Sequence, residues 1–252
     1  MNDILFIIQA RMGSTRLPGK VLRPLGSNRL LDILVHRVRQ SAFYQKDRDN
    51  LVIATSDKET DDILEAHCIK QGFRVFRGSE ERVLDRFVKV IEAVKPSVII
   101  RLTGDNPFVD PELLDVMIQA HFDQGSDYTY ILNAPLGICG EVVNANLLID
   151  ISRIQALEDQ YQEHVTLYIR NHPALYRVQF LEAPERFRAP QYRLTIDTKE
   201  DYESIKALYQ KAGERPDVSA SELITLLNRN PMRQPNERLT SHACWDLRRR
   251  RL

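Results

Sequence analysis

A regular alternation of short apolar runs with longer helical patterns is the feature of this sequence that most restricts its fold. The apolar runs are nearly continuous and rich in β-branched or aromatic residues, as strands buried on both faces are. They are Ile4–Gln9, Leu51–Thr55, Phe73–Phe76 and Val98–Thr103. The helical patterns between and after them lie at about Leu30–Ser41, Glu59–Gln71, Val83–Val94 and Glu112–Phe122. This order predicts a parallel sheet with helices on both faces, which binds ligands at the carboxyl ends of its strands.

The pattern is less regular after about residue 125. Further strands are predicted at Asp127–Leu132, Glu141–Asn144, Tyr176–Leu181 and Tyr192–Ile196. Further helices are predicted near Ala145–Asp159, Glu163–Asn171, Lys199–Lys211 and Ser219–Asn228. We therefore expect a single domain over residues 1–229, with an insertion at about 127–191 whose strands return to the same sheet. Residues 230–252 form a polar, basic tail with an arginine run, Arg248–Arg251, which we interpret as solvated.

Two helix starts have recognisable caps in the sequence. Ser56 with Glu59 has the spacing of a capping box for the second helix. Asp110 followed by Pro111 places a capping side chain first and a proline next, as many helix starts do.

Composition limits the possible partners. The chain of 252 residues has 35 lysines and arginines against 35 aspartates and glutamates, so its net charge is zero. A neutral chain has no overall field for binding nucleic acid, and any anion site must be local. The apolar runs are too short for membrane insertion, and the first residues do not resemble a secretory signal. The chain has 3 cysteines, widely separated and without a CxxC pair, so we expect a cytoplasmic, reducing environment.

A basic, glycine-containing loop, QARMGSTRLPGK at residues 9–20, follows the first strand. Between Asp3 and Asp32 there is no acidic residue, and the basic residues are Arg11, Arg16, Lys20, Arg23 and Arg29. Gly13 and Gly19 allow backbone N–H groups to converge, and arginine with lysine beside them suits a triphosphate. The loop is not a Walker A motif, because Val21 stands where Ser or Thr would hold Mg²⁺. An ordinary basic surface loop is the alternative, disfavoured by its place after a strand.

Two aspartates follow other predicted strands. Asp105 lies in RLTGDNPFVDPE at residues 101–112, and Asp197 lies in YRLTIDTKED at residues 192–201. Carboxylates at strand ends can hold Mg²⁺ against phosphate oxygens. On local grounds alone Asp105 could be a turn residue and Asp197 a helix cap.

These motifs, in this order, resemble the sugar cytidylyltransferase superfamily, which includes the acylneuraminate and 3-deoxy-manno-octulosonate (KDO) cytidylyltransferases. The likeness is greatest to the spore coat polysaccharide biosynthesis protein F-type branch. GSEERVLDR at residues 78–86 and EHVTLYIR at residues 163–170 add to it, and it extends from about Ile4 to Tyr209. The resemblance implies a Rossmann-like three-layer sandwich with a mostly parallel mixed sheet, of the nucleotide-diphospho-sugar transferase type.

The resemblance also implies a function. It is Mg²⁺-dependent transfer from CTP to an acidic sugar, nonulosonic or KDO-like, giving a CMP-sugar and pyrophosphate for surface polysaccharide biosynthesis. The enzyme would be a homodimer, with the insertion serving sugar binding and dimerisation. Arg11, Arg16, Lys20 and Asp105 would be catalytic, and Asp105 and Asp197 would hold Mg²⁺. The nucleotide would contact Ala10, Arg11, Gly13, Ser14, Arg16, Lys20, Ala54, Ser56, Asp57, Ser79, Asp85, Arg86 and Thr103.

The sugar would meet Glu141 and His164, in the irregular region. Glu141 could equally be a surface residue, and His164 a structural one. The KDO enzymes typically carry glutamine and glutamate near the Gly-Asp turn, where this chain has Thr103 and Asn106. Two alternatives therefore stay open. One is the same fold with another nucleotide or a phospho-polyol or sugar-phosphate acceptor; the other is a catalytically silent nucleotide-sugar binding protein.

Overall fold

The computed structural model of the chain describes residues 3–229. In this part the strands are β1 Ile4–Gln9, β2 Pro24–Leu25, β3 Asn28–Arg29, β4 Leu51–Ser56, β5 Val75–Gly78, β6 Val98–Thr103, β7 Tyr128–Leu132, β8 Glu141–Asn144 and β9 Val178–Glu182. The α-helices are α1 Leu30–Val38, α2 Asp62–Gln71, α3 Val83–Val94, α4 Pro111–Asp123, α5 Ala145–Ser152, α6 Asp159–Glu163, α7 Leu167–Asn171, α8 Lys199–Lys211 and α9 Ala220–Arg229. The predicted tail, with Arg248–Arg251, lies outside the described residues.

A seven-stranded sheet forms the centre of residues 3–229, in the order β5-β4-β1-β6-β8-β7-β9. β1 pairs in parallel with β4 and β6, and β4 pairs in parallel with β5. β8 runs antiparallel to both β6 and β7, and β7 pairs in parallel with β9. The predicted α/β fold with a mostly parallel mixed sheet is confirmed. No helix within the described range is both long and apolar enough to cross a bilayer.

The central strand β1 shows why both faces of the sheet are covered. Its side chains alternate, so Phe6 and Ile8 belong to one apolar core while Leu5 and Ile7 belong to the other. All of them are 0% exposed. α1, α4, α8 and α9 supply the first core, and α3 and α5 supply the second. Full burial of a side chain of this size contributes about 1.5–3 kcal/mol to the stability of the fold. The two cores therefore hold β1, and with it the carboxyl end of the strand, in place.

Local sequence signals gave some boundaries correctly and one cap wrongly. β1 and β6 begin and end at the predicted residues. Asp110 caps α4, accepting hydrogen bonds from the N–H groups at the helix start. The capping box of Ser56 and Glu59 is wrong, because the Ser56 hydroxyl donates to Asp61 Oδ2 at 2.6 Å. A short 3-10 turn, Glu59–Asp61, precedes α2 instead, and Lys58 before it makes no side-chain cap.

The segment predicted as a strand at Tyr192–Ile196 is not one. Leu194 N donates to Leu136 O at 2.7 Å, within an isolated bridge, and Ile196 N donates to Asp105 O at 2.9 Å. Both partners lie in loops, so the segment runs along the carboxyl edge of the sheet without joining it. This places the residue after Ile196 beside the turn that follows β6.

The helices predicted in the less regular region are shorter than expected. α5 ends before the predicted limit, and Ala156 has a left-handed φ of 55°, which an α-helix cannot contain. The helix predicted at Glu163–Asn171 is divided between α6 and α7, because His164 leaves the helical conformation. The β2–β3 hairpin was not predicted; Gly26 has a φ of 62° in its turn.

Candidate active site

The carboxyl ends of β4, β1 and β6 lie side by side, because these strands are parallel neighbours. The basic loop, residues 10–20, follows β1 at this edge, and the Gly-Asp turn follows β6. Gly104 N donates to Gln9 O at 2.8 Å. A Cβ on Gly104 would lie 2.9 Å from the Ala10 Cβ, so only glycine lets the turn and the loop approach so closely.

Lys20 joins the two carboxylates that the sequence placed at strand ends. Its ammonium donates to Asp105 Oδ2 at 2.8 Å, to Asp197 Oδ1 at 3.0 Å and to the Ile196 carbonyl at 2.8 Å. The lysine side chain is 12% exposed. Residues far apart in sequence therefore converge on one point beside the loop, as the sequence predicted for Asp105 and Asp197.

Asp197 is held by further cations and is not the helix cap. Arg16 Nη2 lies 3.2 Å from Asp197 Oδ1, and Arg193 also donates to this carboxylate. The N-cap of α8 is Thr198, which forms a capping box with Asp201. The helix-cap alternative for Asp197 is therefore wrong. Burial alone would raise the pKa of Asp197, but Lys20, Arg193 and Arg16 lower it below its ordinary value, so it is ionised at neutral pH.

Asp105 is oriented by its neighbours in the turn. The Thr103 hydroxyl donates to Asp105 Oδ1 at 2.5 Å, and Asn106 Nδ2 donates to Thr103 Oγ1 at 2.9 Å. Asp105 Oδ2 is then directed to Lys20. Asn106 and Thr103 thus form a short chain of hydrogen bonds that orients the carboxylate.

The oxygen atoms around the Lys20 ammonium have the chemistry of a divalent-cation site. Two carboxylates and the Ile196 carbonyl are hard donors of the kind that bind Mg²⁺. Within residues 3–229 no group of three or more His, Cys, Asp or Glu side chains could hold a metal ion. Mg²⁺ is commonly bound by one or two carboxylates, with water and phosphate oxygens completing its shell, so this donor set fits it.

A buried carboxylate that sequence reasoning missed supports the basic loop. Asp61 is 0% exposed and accepts a hydrogen bond from Met12 N at 2.7 Å. Burial alone would raise the pKa of Asp61, but the hydrogen bonds from Ser56, Met12 and Thr55 lower it below its ordinary value. No local signal could distinguish Asp61, because Met12 lies in a distant part of the sequence.

The nucleotide contacts predicted at residues 54–57, 79, 85 and 86 lie near the ends of β4 and β5. Ser56 is buried against Asp61, and Asp57 N donates to Gly78 O at 2.8 Å, which ties the two strand ends together. Arg86 Nη1 donates to Ser79 O at 3.0 Å. Burial, with the nearby charge of Arg11, lowers the pKa of Arg86 to about 10. Nucleotide contacts for these residues, and for Ala54 and Asp85, stay predictions.

Glu141 is the centre of a buried polar cluster, so the surface alternative for it is wrong. Its side chain is 7% exposed. Tyr128 OH donates to Oε1 at 2.6 Å, Thr166 Oγ1 lies 2.9 Å from both oxygens, and Arg101 donates to Oε2. Arg170 Nη1 lies 3.9 Å from Oε1. The cluster joins β6, β7, β8 and α7.

The other residue predicted for the sugar, His164, is exposed at the end of α6. It does not take part in the Glu141 cluster, although Thr166, two residues later, does. In this segment Thr166, and not His164, is turned towards Glu141. Sugar contacts for Glu141 and His164 stay predictions.

We expect Glu141→Gln to lower the free energy of unfolding by about 3 kcal/mol at pH 7, since it leaves the Arg101 and Arg170 guanidinium groups without their carboxylate. Burial raises the pKa of Glu141, but the two arginines and Tyr128 outweigh it and bring the pKa from 4.5 to about 2. A lowered pKa stabilises the fold above 4.5, and this contribution is lost as the pH falls towards 2.

Urea unfolding at a series of pH values measures this effect. Wild type and Glu141→Gln should differ most at neutral pH and converge as the pH falls below the ordinary glutamate value. Glu112→Gln is the control, because Glu112 pairs with Arg186 at the exposed surface; it should change stability by about 0.5 kcal/mol or less. A loss for Glu141→Gln that did not depend on pH would contradict the expectation.

A mostly parallel sheet whose carboxyl edge presents a basic loop and converging carboxylates defines an α/β nucleotidyltransferase. A sequence model of the cytidylyltransferase family matches residues 5–224. The chain belongs to this family, and the resemblance in its motifs is confirmed at that level.

Relatives of the chain cover most of its length. The uncharacterized protein MJ1063 of Methanocaldococcus jannaschii is 39% identical over 228 residues, which are 90% of this chain and 91% of that protein. A solved cytidylyltransferase from Leptospira borgpetersenii serovar Hardjo-bovis has 31% identity and a TM-score of 0.82, covering 92% of this chain and 96% of that one. The 3-deoxy-manno-octulosonate cytidylyltransferase of Solibacter usitatus is 24% identical over 246 residues, covering 83% and 95%.

Proposed function

We propose that the protein is a Mg²⁺-dependent cytidylyltransferase that uses CTP to convert an acidic sugar, nonulosonic or KDO-like, to a CMP-sugar with release of pyrophosphate. The observation that carries the proposal is the convergence of Asp105, Asp197 and Lys20 at the loop after β1. A cation-binding carboxylate pair beside a cationic loop is what a metal–triphosphate complex requires. Asp105 and Asp197 would hold Mg²⁺, whose charge would offset that of the phosphates.

Positioning and charge neutralisation by the chain account for the chemistry. A sugar hydroxyl oxygen attacks the α-phosphorus, the bond from that phosphorus to the oxygen bridging to the β-phosphate breaks, pyrophosphate leaves with that oxygen, and the hydroxyl proton passes to water. Arg11, Arg16 and Lys20 bind the β- and γ-phosphates and stabilise the leaving pyrophosphate. In the structure these side chains pair with Glu80 or with the carboxylates of the site. They are therefore cations already held at this edge, ready to exchange a carboxylate partner for a phosphate.

The proposal for an acidic sugar rests on the Glu141 cluster and on the relatives. The Solibacter usitatus relative is named for a sugar acid, 3-deoxy-manno-octulosonate. Arg101 and Arg170 face the one carboxylate of Glu141, so the cluster carries an excess of positive charge. It lies next to the nucleotide edge, because Arg101 Nη2 donates to Gln9 Oε1 at 3.2 Å. A sugar carboxylate would balance this charge.

The finer parts of the proposal concern the biological setting. We propose that the chain belongs to the spore coat polysaccharide biosynthesis protein F-type branch and serves surface polysaccharide biosynthesis. It would act in the cytoplasm as a homodimer. CTP and the small acidic sugar would be its ligands, without nucleic acid and without insertion into a membrane. Sedimentation velocity measures the oligomeric state directly.

Pyrophosphate release is the decisive assay. CTP, UTP, ATP and GTP would each be combined with KDO, nonulosonic acids and, as matched controls, a neutral sugar, a sugar phosphate and a polyol phosphate, with and without Mg²⁺. We expect release with CTP and one acidic sugar, only when Mg²⁺ is present. Release with another nucleotide or with a phosphorylated acceptor would replace the proposal by that activity. Binding of a nucleotide-sugar without release in any combination would indicate a catalytically silent binder.

A further inference from the structure

We propose that Asp61 is a positioning residue for the nucleotide. It holds the basic loop in its phosphate-binding conformation through the backbone of Met12. The inference rests on the proposed binding of CTP phosphates by that loop. Asp61 would not touch the nucleotide itself, because its side chain lies buried behind the loop, between β4 and Met12.

The hydrogen bonds that the Asp61 carboxylate accepts come from β4 and from the loop. Asp61 Oδ2 accepts from Thr55 Oγ1 at 2.7 Å, from Ser56 N at 2.9 Å and from Ser56 Oγ at 2.6 Å. Asp61 Oδ1 accepts from Met12 N at 2.7 Å. One oxygen is thus fixed to the end of a core strand, and the other is left to hold the loop. A carboxylate that accepts N–H and O–H groups in a buried site forms strong, charge-assisted bonds.

Met12 is the residue on which the conformation of the basic loop depends. Its carbonyl accepts hydrogen bonds from Ser14 N and from Gly19 N, both at 2.9 Å. The peptide groups on either side of Met12 are therefore fixed, one by Asp61 and one by the returning end of the loop. Arg11, Ser14 and Arg16 branch from this frame, so a shift at Met12 would move all of them.

The other polar contacts of the loop hold its two ends or join exposed side chains, and Leu17 packs into the first core beyond the Met12 section. Ala10 N donates to Ala54 O at 3.1 Å, which fixes the loop where it leaves β1. The ion pair of Arg11 with Glu80, at 3.3 Å, joins side chains that are 42% and 23% exposed, and exposed pairs of this kind contribute little. Lys20 fixes the far end through Asp105. Asp61 holds the section of the loop that lies between these two ends, through its bond to Met12 N.

Asparagine cannot replace Asp61 in this role, although it has the same shape. If its oxygen accepts from Met12 N, its NH₂ group faces Ser56 N, which is also a donor. If the amide is rotated, the NH₂ group faces Met12 N instead. One pair of donors is opposed in either orientation. The loop would then be less ordered in the free protein. Binding of the nucleotide would have to order its backbone N–H groups, and this cost weakens binding.

The experiment compares wild type, Asp61→Asn and Thr55→Val. Thr55→Val is the matched control, since it removes one hydrogen bond from the same carboxylate and leaves the Met12 contact in place. We expect Asp61→Asn to raise KM for CTP by about tenfold or more and to leave KM for the sugar unchanged. We expect Thr55→Val to change KM for CTP by about twofold or less. Amide exchange at Met12, measured without ligands, should accelerate in Asp61→Asn only.

The two proposals fail in different ways. If wild type turns over no nucleotide–sugar pair, the proposed function is wrong, and binding of inorganic tripolyphosphate replaces KM in the comparison. An unchanged Met12 exchange rate in folded Asp61→Asn overturns the inference. So does an equal rise in KM for both substrates, which indicates a general loss of structure. If Asp61→Asn does not fold, exchange in wild type decides. Met12 should then be protected like the amide of Ala10, which donates to Ala54 O of β4, and exchange at the rate of a free loop overturns the inference.

Discussion

Asp105→Asn should lower kcat by about 10³-fold or more, while the protein keeps its fold and its thermal stability. Asp105 directs one carboxylate oxygen to Lys20 and accepts a hydrogen bond from Thr103 on the other. Asparagine keeps the volume and can still accept from Thr103. It removes the negative charge and turns an NH₂ donor towards the ammonium and towards any metal ion. The variant therefore loses the negative charge that the reaction requires, while the conformation of the turn is kept.

Asp127→Asn is the matched control for this variant. Asp127 is also a partly buried carboxylate in an ion pair, 2.9 Å from Arg177. It precedes β7 at the amino edge of the sheet, away from the loop after β1. Pyrophosphate release should stay within about twofold of wild type in Asp127→Asn, since the change lies outside the site. A circular dichroism melt confirms folding of both variants, and retention of activity by folded Asp105→Asn would refute the metal role of Asp105.

The parts of the fold that sequence predicted well are those with a strong local signal. β1 and β6 are continuous apolar runs because both of their faces are buried, and their bounds follow directly from that pattern. The start of α4 follows from Asp110 and the proline after it. Tyr192–Ile196 carries the same kind of pattern, and Leu194 and Ile196 pack into the first core, but its backbone pairs with loops. Burial of alternate residues does not reveal what the backbone pairs with.

The candidate site also has residues that could be predicted from sequence and contacts that could not. Lys20, Asp105 and Asp197 could be proposed from sequence because each follows an apolar run or lies in a marked loop. Asp61 and the partners of Glu141 could not, since these contacts are brought together only by the sheet. Glu141 lies opposite Arg101 through the pairing of β8 with β6, a register that no short stretch of sequence encodes. Long-range polar contacts of this kind are visible only when the strand order is known.

Lys20→Met should lower kcat/KM by about 10²- to 10³-fold, because a cation that would bind the leaving phosphates is lost. The same change should strengthen binding of Mn²⁺, a spectroscopic substitute for Mg²⁺, in the absence of nucleotide. The Lys20 ammonium lies within 3.0 Å of oxygen atoms from Asp105, Ile196 and Asp197, which are the donors proposed for the metal. The ammonium at that point competes directly with a metal ion for these oxygen atoms, and at such short range it repels the metal ion strongly. Methionine fills similar space without the charge.

Titration with Mn²⁺, followed by electron paramagnetic resonance without nucleotide, separates the two effects. The Kd of Lys20→Met for Mn²⁺ should fall by about tenfold or more relative to wild type. Lys20→Arg keeps the positive charge, so its Kd should stay near that of wild type even if its activity is low. In wild type, CTP should strengthen Mn²⁺ binding, because phosphates draw the ammonium away from the carboxylates, and Lys20→Met should lose most of this coupling. If Lys20→Met bound Mn²⁺ no better than wild type did, the ammonium and the metal would not share a site, and the carboxylates would need another role.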